Sequence, residues 1–491
     1  MSLVKKTVSG LFWSGGERFL QVGIRFFIQI VLARILAPEQ FGLVAMVAVF
    51  IAISNGVVDG GLGQAIVQRK ELSTEDINTV FTCNMILGGV MAALLWLLAP
   101  LVADFYREAQ LVSLLRALSL SVLIGSAGRI HSALITRSME FRKSLFVSLP
   151  AALIAGVTAI VLALNGFGVW TLVVQALIGV SLQTTSLWIV SGWKPRLGFS
   201  IESFKSIFPY GSRIWTATII AQVFDNIYVL FIGRMFMASD VGFYQRADSF
   251  RRLATENLTS ITRRVTFPLF SRMQHDLVAL RRGFLMAVEL HAYLFFPLMA
   301  LLAGVAGPFI SVILGEKWLP SVPYLRLLCI VGALYPIHSL HVNILKSLGH
   351  ASLLLRTNIL KSFIRLVLLI VTCRYGVLAM IVGQVVASLF SLYINGYCTR
   401  KVSDISYFTQ LRCMIIPCLI AGLVASSSWW ASGFDLAMSI YDLFLSLGIG
   451  ATVGFMGLYL ARGAFEPVIE ILSVQYPKLK MLQQRLYGQV L

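Results

Sequence analysis

The chain has 491 residues, of which 58% are hydrophobic and 13% are charged, and its formal net charge is +18. This composition excludes a soluble globular protein and predicts a membrane protein with many spans. The six cysteines show no CxxC or other metal-binding spacing and lie in or beside apolar runs. We therefore interpret them as packing residues, and we expect no metal and no cofactor.

About fourteen apolar windows, each of roughly 20 residues and long enough to cross a bilayer, follow one another along the chain. The first contains Glu17, Arg18 and Arg25 and lacks a small-residue cleavage site, which indicates a retained helix rather than a signal peptide. The connections are short and leave no room for a soluble catalytic domain, so we predict an all-α polytopic protein that is not an enzyme. The windows lie near residues 10–33, 42–67, 79–103, 111–136, 144–164, 168–191, 206–233, 242–266, 284–307, 321–345, 353–373, 376–398, 411–430 and 442–461.

Lysine and arginine are distributed unevenly between the two sides of the membrane. They are far more frequent in the N-terminus, the even-numbered loops and the C-terminal tail than in the odd-numbered loops. Basic loops are retained on the cytoplasmic side, so both termini are predicted to be cytoplasmic. This asymmetry explains most of the positive charge, and no nucleic-acid partner is expected.

The sequence also indicates an internal duplication. The segment at residues 33–42 recurs at residues 233–242, with a small residue, an arginine, an apolar pair and a final glycine in each copy. We interpret each copy as the tight turn of a helical hairpin, with Gly42 and Gly242 as turn residues. His131 recurs as His341 at nearly the same offset, and a role in helix packing is predicted for both.

Repeats of this kind are common in secondary transporters, whose substrate site lies near the middle of the bilayer. We predict a six-helix N-terminal lobe at residues 1–200 and a six-helix C-terminal lobe at residues 201–400. Residues 401–491 would add two helices and a cytoplasmic tail. For these two helices, structural padding and a docking surface for a lipid chain remain open alternatives.

Several predicted spans carry cations, and a charge in the bilayer costs about 3 kcal/mol unless it meets water or a partner. Basic side chains outnumber acidic ones inside the spans, which favours an anionic substrate. Polar residues recur at helical spacing, so each set forms one stripe. The stripes are Ser14, Arg18, Gln21, Arg25 and Gln29; Thr218, Gln222 and Asp225; Asp248, Arg252, Thr255 and Thr259; and Asn358, Lys361 and Arg365.

Five stretches resemble bacterial polysaccharide flippases of the Wzx type, and most of all their colanic-acid exporter subgroup. This family belongs to the multidrug, oligosaccharidyl-lipid and polysaccharide exporter superfamily. The resemblance covers nearly the whole chain and keeps the family order. The stretches are Val31–Leu36, Asp59–Arg69, Val241–Ala247, Phe267–Ser271 and Gly315–Trp318.

The resemblance implies a V-shaped, two-lobed core with two additional C-terminal helices. The implied function is alternating-access transport of undecaprenyl-diphosphate-linked oligosaccharide across the bacterial inner membrane, for exopolysaccharide, capsule or O-antigen-type synthesis. Membrane lipids, a polysaccharide polymerase and export machinery are the other implied partners. Relatives that flip lipid-linked cell-wall precursors hold the diphosphate with arginines on the first and eighth helices. Arg18, Arg25 and Arg252 match these by helix and face, and Lys361 and Arg365 would assist them in a cationic cavity.

The intramembrane acids are candidates for gating and ion pairing. Asp225 occupies the repeat position of Arg25, so we expect these two to approach each other in one state of the transport cycle. Glu17, Asp59 and Asp248 are the other candidates. A simpler alternative is that the charges only pair with one another and lock the helices together, for example Asp248 with Arg252.

Two other functions stay open. A multidrug exporter of the same superfamily would share the fold, but it should have an acidic interior. A membrane-embedded polysaccharide polymerase or ligase would act on the same lipid-linked sugars, but it usually needs a sizeable extracytoplasmic loop.

Overall fold

The computed structural model describes residues 20–69, 71–196, 198–432 and 440–460, and the regular elements in these ranges are all helical. Two short 3₁₀ turns cover Glu316–Ser321 and Cys373–Tyr375. The first helix, α1, covers residues 20–35. The later helices are α2 (Pro38–Asp59), α3 (Leu62–Gln68), α4 (Thr74–Tyr106), α5 (Leu111–Arg137), α6 (Phe141–Leu164), α7 (Trp170–Ser191), α8 (Ile201–Met235), α9 (Ala238–Arg272), α10 (Leu277–Gly304), α11 (Ala306–Leu314), α12 (Val322–Ser347), α13 (Ala351–Thr372), α14 (Val377–Ser403), α15 (Tyr407–Ala431) and α16 (Ile440–Leu460).

The predicted spans coincide with helices, the first of them from residue 20 onward. Within the described ranges, 11 helices are long and apolar enough to cross a membrane. Two further helices at predicted spans, α9 and α13, contain the intramembrane charges discussed below. The prediction of an all-α membrane protein with many spans is therefore confirmed.

Two predicted spans are each divided into two helices. The window at 42–67 breaks between α2 and α3, because Gly60 and Gly61 have positive φ angles of 51° and 67°. Such angles suit glycine. Gly61 also approaches the backbone of α8, where an added Cβ would lie 2.5 Å from the backbone oxygen of Gly211. The window at 284–307 is likewise interrupted at Val305, between α10 and α11.

The two repeated turn segments are closed by the same hydrogen bond. In the first, the side-chain oxygen of Gln40 accepts from the backbone N–H of Ala37 at 3.2 Å. In the second, Asp240 accepts from the backbone N–H of Met237 at 3.2 Å. The offset of 200 residues that the sequence indicates is thus repeated in local structure.

Gly42 and Gly242 lie inside α2 and α9, so their interpretation as turn residues was wrong. Their lack of a side chain serves a close approach instead. A Cβ on Gly42 would overlap the carbonyl oxygen of Ala238, and a Cβ on Gly242 would overlap that of Pro38. The starts of the two helices therefore cross in backbone contact.

The chain divides into two compact units, Met1–Gln245 and Arg246–Leu491. In the first unit, α8 packs against α2, α3 and α4, which explains why this unit extends past residue 200. The lobes at 1–200 and 201–400 describe a duplication in the sequence, and they stay a prediction.

The two units pack their helices in matching order. In the first unit α5 contacts α4 and α7, and α6 contacts α7; in the second α12 contacts α10 and α14, and α13 contacts α14. His131 Nδ1 lies 2.7 Å from Ser191 Oγ and thereby joins α5 to α7. His341 Nδ1 lies 2.8 Å from Thr399 Oγ1 and joins α12 to α14. The helix-packing role predicted for both histidines agrees with these contacts.

The last two described helices pack within the second unit through small residues. α15 contacts α10, and α16 contacts α10, α11 and α15. A Cβ on Gly304 would lie 2.6 Å from Cβ of Ser428, and a Cβ on Gly450 would overlap the hydroxyl of the same serine. Close backbone approach through small residues is a usual way for helices to associate in membranes.

We expect Gly42→Ala to destabilise the protein by about 1–3 kcal/mol, because the added methyl group meets a backbone oxygen that cannot rotate away. The melting temperature of the detergent-solubilised chain measures this. Gly89→Ala is the matched control, since Gly89 is also helical and an added Cβ meets nothing within 4 Å. Equal melting temperatures for the two variants would contradict the close approach.

Candidate functional site

Arg25 lies on α1 with its side chain exposed. On the same helix, Ile28 and Leu32 are buried in a cluster with Ala159 and Ala163 of α6. Within the described part of the chain, no hydrogen bond or ion pair involves Arg25. Its positive charge is therefore available to an anion. Glu17 and Arg18, predicted on the same helix, lie outside the described residues.

Asp59 ends α2, directly before the Gly60–Gly61 break, and forms an ion pair with Arg129 of α5. Arg129 also donates to the side-chain oxygen of Asn55 at 2.7 Å. Both partners of Arg129 are on α2, so the guanidinium joins the end of α2 to α5. In this structure Asp59 therefore has a role in packing within the first unit.

Asp225 lies on α8 and is exposed. No ion pair among the described residues joins it to Arg25, so their approach in another state stays a prediction. Gln222 and Thr218, on the same predicted stripe, lie close to Gly56 of α2. A Cβ added to Gly56 would be 3.6 Å from Cγ of Gln222 and 3.8 Å from Cγ2 of Thr218. At these two positions the stripe contacts a neighbouring helix.

On α9, charges are concentrated around one buried carboxylate. Asp248 accepts from Arg251 Nε at 2.6 Å and from Arg252 Nε at 2.5 Å. Asp248 and Arg251 are 5% and 6% exposed, whereas Arg252 is 43% exposed. Arg252 Nη1 also lies 3.5 Å from Glu256. The simpler alternative, in which Asp248 pairs with Arg252, is thus observed here, and the pair lies within a single helix.

The remaining members of the α9 stripe are buried. Thr255 and Thr259 are at most 1% exposed. Their hydroxyls donate to the backbone oxygens of Arg251 and Thr255, one turn earlier. This part of the stripe therefore packs inside the second unit and presents no polar group to water.

On α13, Lys361 and Arg365 stand in different surroundings. Lys361 Nζ donates to Asn395 Oδ1 of α14 at 2.9 Å. Arg365 is partly buried, and within the described residues it takes part in no hydrogen bond or ion pair. Arg25 and Arg365 are accordingly the predicted cations whose guanidinium groups are uncommitted.

The sequence interpretation missed His338 and Asn395. Asn395 Nδ2 lies 3.3 Å from His338 Nδ1, and His338 Nε2 lies 3.0 Å from Ser388 Oγ. A comparison of the two repeats could have found them, because Gly128 and Leu187 occupy the equivalent positions in the first repeat.

Among the described residues, no three His, Cys, Asp or Glu side chains come together as a metal site. A cavity of about 870 Å³ opens where α4 and α8 begin, and both acids and a base line it. The lining residues are Arg69, Glu71, Leu72, Ser73, Asp76, Glu202, Ser203 and Ser206. The cavity does not involve the predicted cations.

The helical fold is that of a known class of membrane transporter. The Lipid II flippase MurJ in its inward closed conformation matches 94% of this chain and 100% of its own, with a TM-score of 0.75 and 14% identity. An inward-facing multidrug resistance MATE family transporter of the MOP superfamily matches 80% of this chain and 94% of its own, with a TM-score of 0.61 and 14% identity. At such identities the likeness shows the fold alone.

The chain belongs to the family described as "Polysaccharide biosynthesis protein", whose sequence model matches residues 31–323. It is 28% identical over 418 residues to the lipopolysaccharide biosynthesis protein WzxC of Escherichia coli (strain K12), covering 84% of this chain and 82% of that protein. It is 28% identical over 342 residues to the succinoglycan biosynthesis transport protein ExoT of Rhizobium meliloti (strain 1021), covering 70% and 69%. The resemblance to Wzx-type flippases is thereby confirmed.

We expect Asp248→Asn to destabilise the chain by about 3–5 kcal/mol, because it leaves the buried Arg251 without a counter-charge. Glu256→Gln should change stability by less than about 1 kcal/mol, since that partner is partly exposed. Thermal unfolding of the purified variants measures both. Adding Arg251→Met to Asp248→Asn should recover most of the loss, and a double variant as unstable as Asp248→Asn would contradict the buried-pair interpretation.

Proposed function

We propose that this chain moves an undecaprenyl-diphosphate-linked oligosaccharide from the cytoplasmic to the periplasmic leaflet of the bacterial inner membrane. The observation that carries the proposal is the pair of uncommitted guanidinium groups, Arg25 and Arg365, on helices of an apolar membrane protein. Uncompensated charges are expensive in a bilayer and usually mark a substrate path. The relatives named for polysaccharide synthesis and transport support the same conclusion.

A diphosphate suits these side chains. Guanidinium groups are always charged and offer forked donors that match phosphate oxygens, and a partly dry surrounding strengthens such bonds. Lys361, one turn before Arg365, adds a point charge. The substrate must also leave on the far side of the membrane, so several moderate contacts serve transport better than one tight clamp.

Arg252 has a smaller part in this proposal. Its guanidinium is shared with Asp248 and Glu256, so binding a phosphate there would compete with two carboxylates. Arg18 keeps the role expected from the sequence, as a neighbour of Arg25 on the first predicted span.

The proposed process is transport by alternating access and involves no covalent chemistry. A multidrug exporter of the same fold is the second candidate, since a MATE transporter shares the architecture. The uncommitted cations favour the flippase, because a cationic drug would be repelled by them. No described feature favours a polymerase or ligase over transport.

Arg25→Ala and Arg365→Ala should each reduce polymer export at least about tenfold, which corresponds to the loss of a hydrogen bond to a charged group. Lipid-linked repeat units should accumulate in the cytoplasmic leaflet while the protein level stays normal. Export and lipid-linked intermediates are measured in the same cells.

Arg374→Ala is the control, because Arg374 is an exposed arginine in the turn after α13. It should export normally. If the Arg25 and Arg365 variants also export normally, or simply fail to accumulate as protein, these arginines do not bind the substrate.

The proposal includes cytoplasmic termini, supported by the excess of basic residues in the loops on one side. Reporter fusions after Lys401 and at the C-terminus should both indicate the cytoplasm. A periplasmic signal from the C-terminal fusion would contradict the orientation and the predicted number of spans.

A further inference from the structure

Arg263 lies on α9 beyond the buried charge cluster, and its side chain is exposed. Its Nε donates to Ser339 Oγ of α12 at 3.2 Å. Within the described residues, the guanidinium takes part in no other hydrogen bond and in no ion pair. An arginine has N–H donors on Nε and on both Nη atoms. The Nε donor of Arg263 joins two helices, and the Nη donors remain available to a ligand.

A buried hydrogen bond one turn further along fixes the surroundings of Arg263. Asn343 Nδ2 of α12 donates to Thr266 Oγ1 of α9 at 3.0 Å, and these two residues are 3% and 7% exposed. Both bonds advance along α9 and α12 in the same direction, so the two helices run parallel here. Arg263 is thereby held against the protein, which lowers the entropy that its side chain loses when a ligand binds.

Arg263 shares an exposed stripe of α9 with Arg252 and Glu256. The steps from Arg252 to Glu256, Ser260 and Arg263 are four, four and three residues, which keeps all of them on one face of a helix. The side chains of Arg252 and Glu256 are 43% and 36% exposed. Charged groups with this exposure cannot face hydrocarbon. The stripe therefore faces water, and Arg263 belongs to the same wetted face.

The length of α9 places Arg263 near the cytoplasmic surface in the proposed orientation. The helix has 35 residues and is about 52 Å long, whereas the hydrocarbon core is about 30 Å thick. Its first turn contains Asp240, so the helix begins at the periplasmic boundary. Arg263 lies about 37 Å along the axis from Ala238, or about 32 Å across the membrane at a tilt of about 30°. This is the level of the cytoplasmic headgroups.

The corresponding contact of the first unit closes on its arginine. Arg129 of α5 stands at the position of Ser339, at the offset of 210 that also relates the paired histidines. It joins α5 to α2 through both Asp59 and Asn55. In the second unit one hydroxyl takes one N–H of Arg263, and the Nη atoms stay accessible. Joining the two helices therefore explains only part of the chemistry of Arg263.

We propose that Arg263 is a docking site at which the diphosphate of the lipid-linked substrate first binds, on the cytoplasmic side, before it reaches the cations inside the membrane. Before transport, the charges of such a lipid stay at the headgroup level because the hydrocarbon core excludes them. Arg263 lies at that level, and its paired Nη atoms suit phosphate oxygens. Ser339 is its positioning residue. The docking site rests on the proposed function, since it is the first step of the same transport path.

The test is transport of one probe by the full-length chain in phosphatidylcholine vesicles. The probe is undecaprenyl diphosphate capped with a labelled hexose, and its movement between leaflets is measured over a range of probe contents. Arg263→Ala should raise the half-saturating probe content about tenfold, which corresponds to the loss of a hydrogen bond to a charged group. The saturated rate should change less than about twofold, because docking no longer limits transport when the site is filled.

Arg272→Ala is the matched control. Arg272 is an exposed arginine at the cytoplasmic end of the same helix, but it follows Arg263 by about two and a half turns and so lies on the opposite face. Its variant should keep the half-saturating content and the rate of the unmodified chain. Ser339→Ala should raise the half-saturating content by less than Arg263→Ala does, because it removes only the positioning bond. Arg263→Lys should recover part of the affinity as a point charge.

A second series adds phosphatidylglycerol to the vesicles and identifies which phosphate Arg263 binds. A substrate docking site should keep most of the difference between the unmodified chain and Arg263→Ala, because a diphosphate carries more charge than the single phosphate of a phospholipid. If phosphatidylglycerol abolishes the difference, Arg263 is a phospholipid site and the docking proposal is wrong.

The outcomes also separate docking from the proposed function. If Arg263→Ala behaves like Arg272→Ala while Arg365→Ala slows transport, the docking site is wrong and the substrate path stands. If Arg25→Ala, Arg365→Ala and Arg263→Ala all move the probe like the unmodified chain, the proposed function itself is overturned. Melting temperatures of the same preparations exclude unfolding as the cause of any difference.

Discussion

The close crossing at Gly42 and Gly242 constrains much of the structure. Two helix starts meet there at a distance that only glycine allows, since the nearest obstacles are backbone oxygens rather than side chains that could move. The crossing fixes the start of α2 just after the turn that follows α1, the helix with Arg25. It also fixes the start of α9, which reaches Asp248 six residues after Gly242. The start of α9, the helix with Asp248, is therefore positioned by a backbone contact that needs no charge.

The intramembrane charges separate into two groups according to their partners. Asp248 and Arg251 are both nearly inaccessible and neutralise each other, as buried ions must. Arg129 is similarly committed to Asp59 and Asn55. Arg25 and Arg365 have no such compensation among the described residues. An evolved membrane protein keeps uncompensated cations only where water or a ligand solvates them, so the missing partners are more informative than the cations alone.

Much of the fold could be predicted from the sequence, because span length and hydropathy are local properties. The helices, the duplicated turns and the paired histidines were all found in this way. The break at Gly60–Gly61 was not, since the apolar runs before and after it form one continuous window at 42–67. The sequence could not predict the partner of each charge or its burial. Arg251 and Arg252, for example, are adjacent in sequence, yet the first is buried and the second is partly exposed. The structure also gives a physical reason for residue types in two of the stretches that carry the family resemblance. Arg246, from one stretch, lies 5.5 Å from the ring centre of Trp318, from another.

The differences between the repeats indicate where function resides. A duplicated scaffold begins with the same side chains in both halves, and packing alone gives no reason to replace an apolar set by ionisable groups. His131 and His341 kept their role in joining helices. Ala151 and Ala155, by contrast, correspond to Lys361 and Arg365, and Arg25 corresponds to Asp225. The exchange of alanine for Lys361 and Arg365 adds two charges, and the exchange between Arg25 and Asp225 changes the sign of one. Charges inside a membrane protein are disfavoured by stability, so each difference requires a benefit outside folding. Binding of an anionic substrate supplies that benefit, because Lys361 and Arg365 place two cations on one helix, whereas the equivalent helix of the first repeat has alanine at both positions.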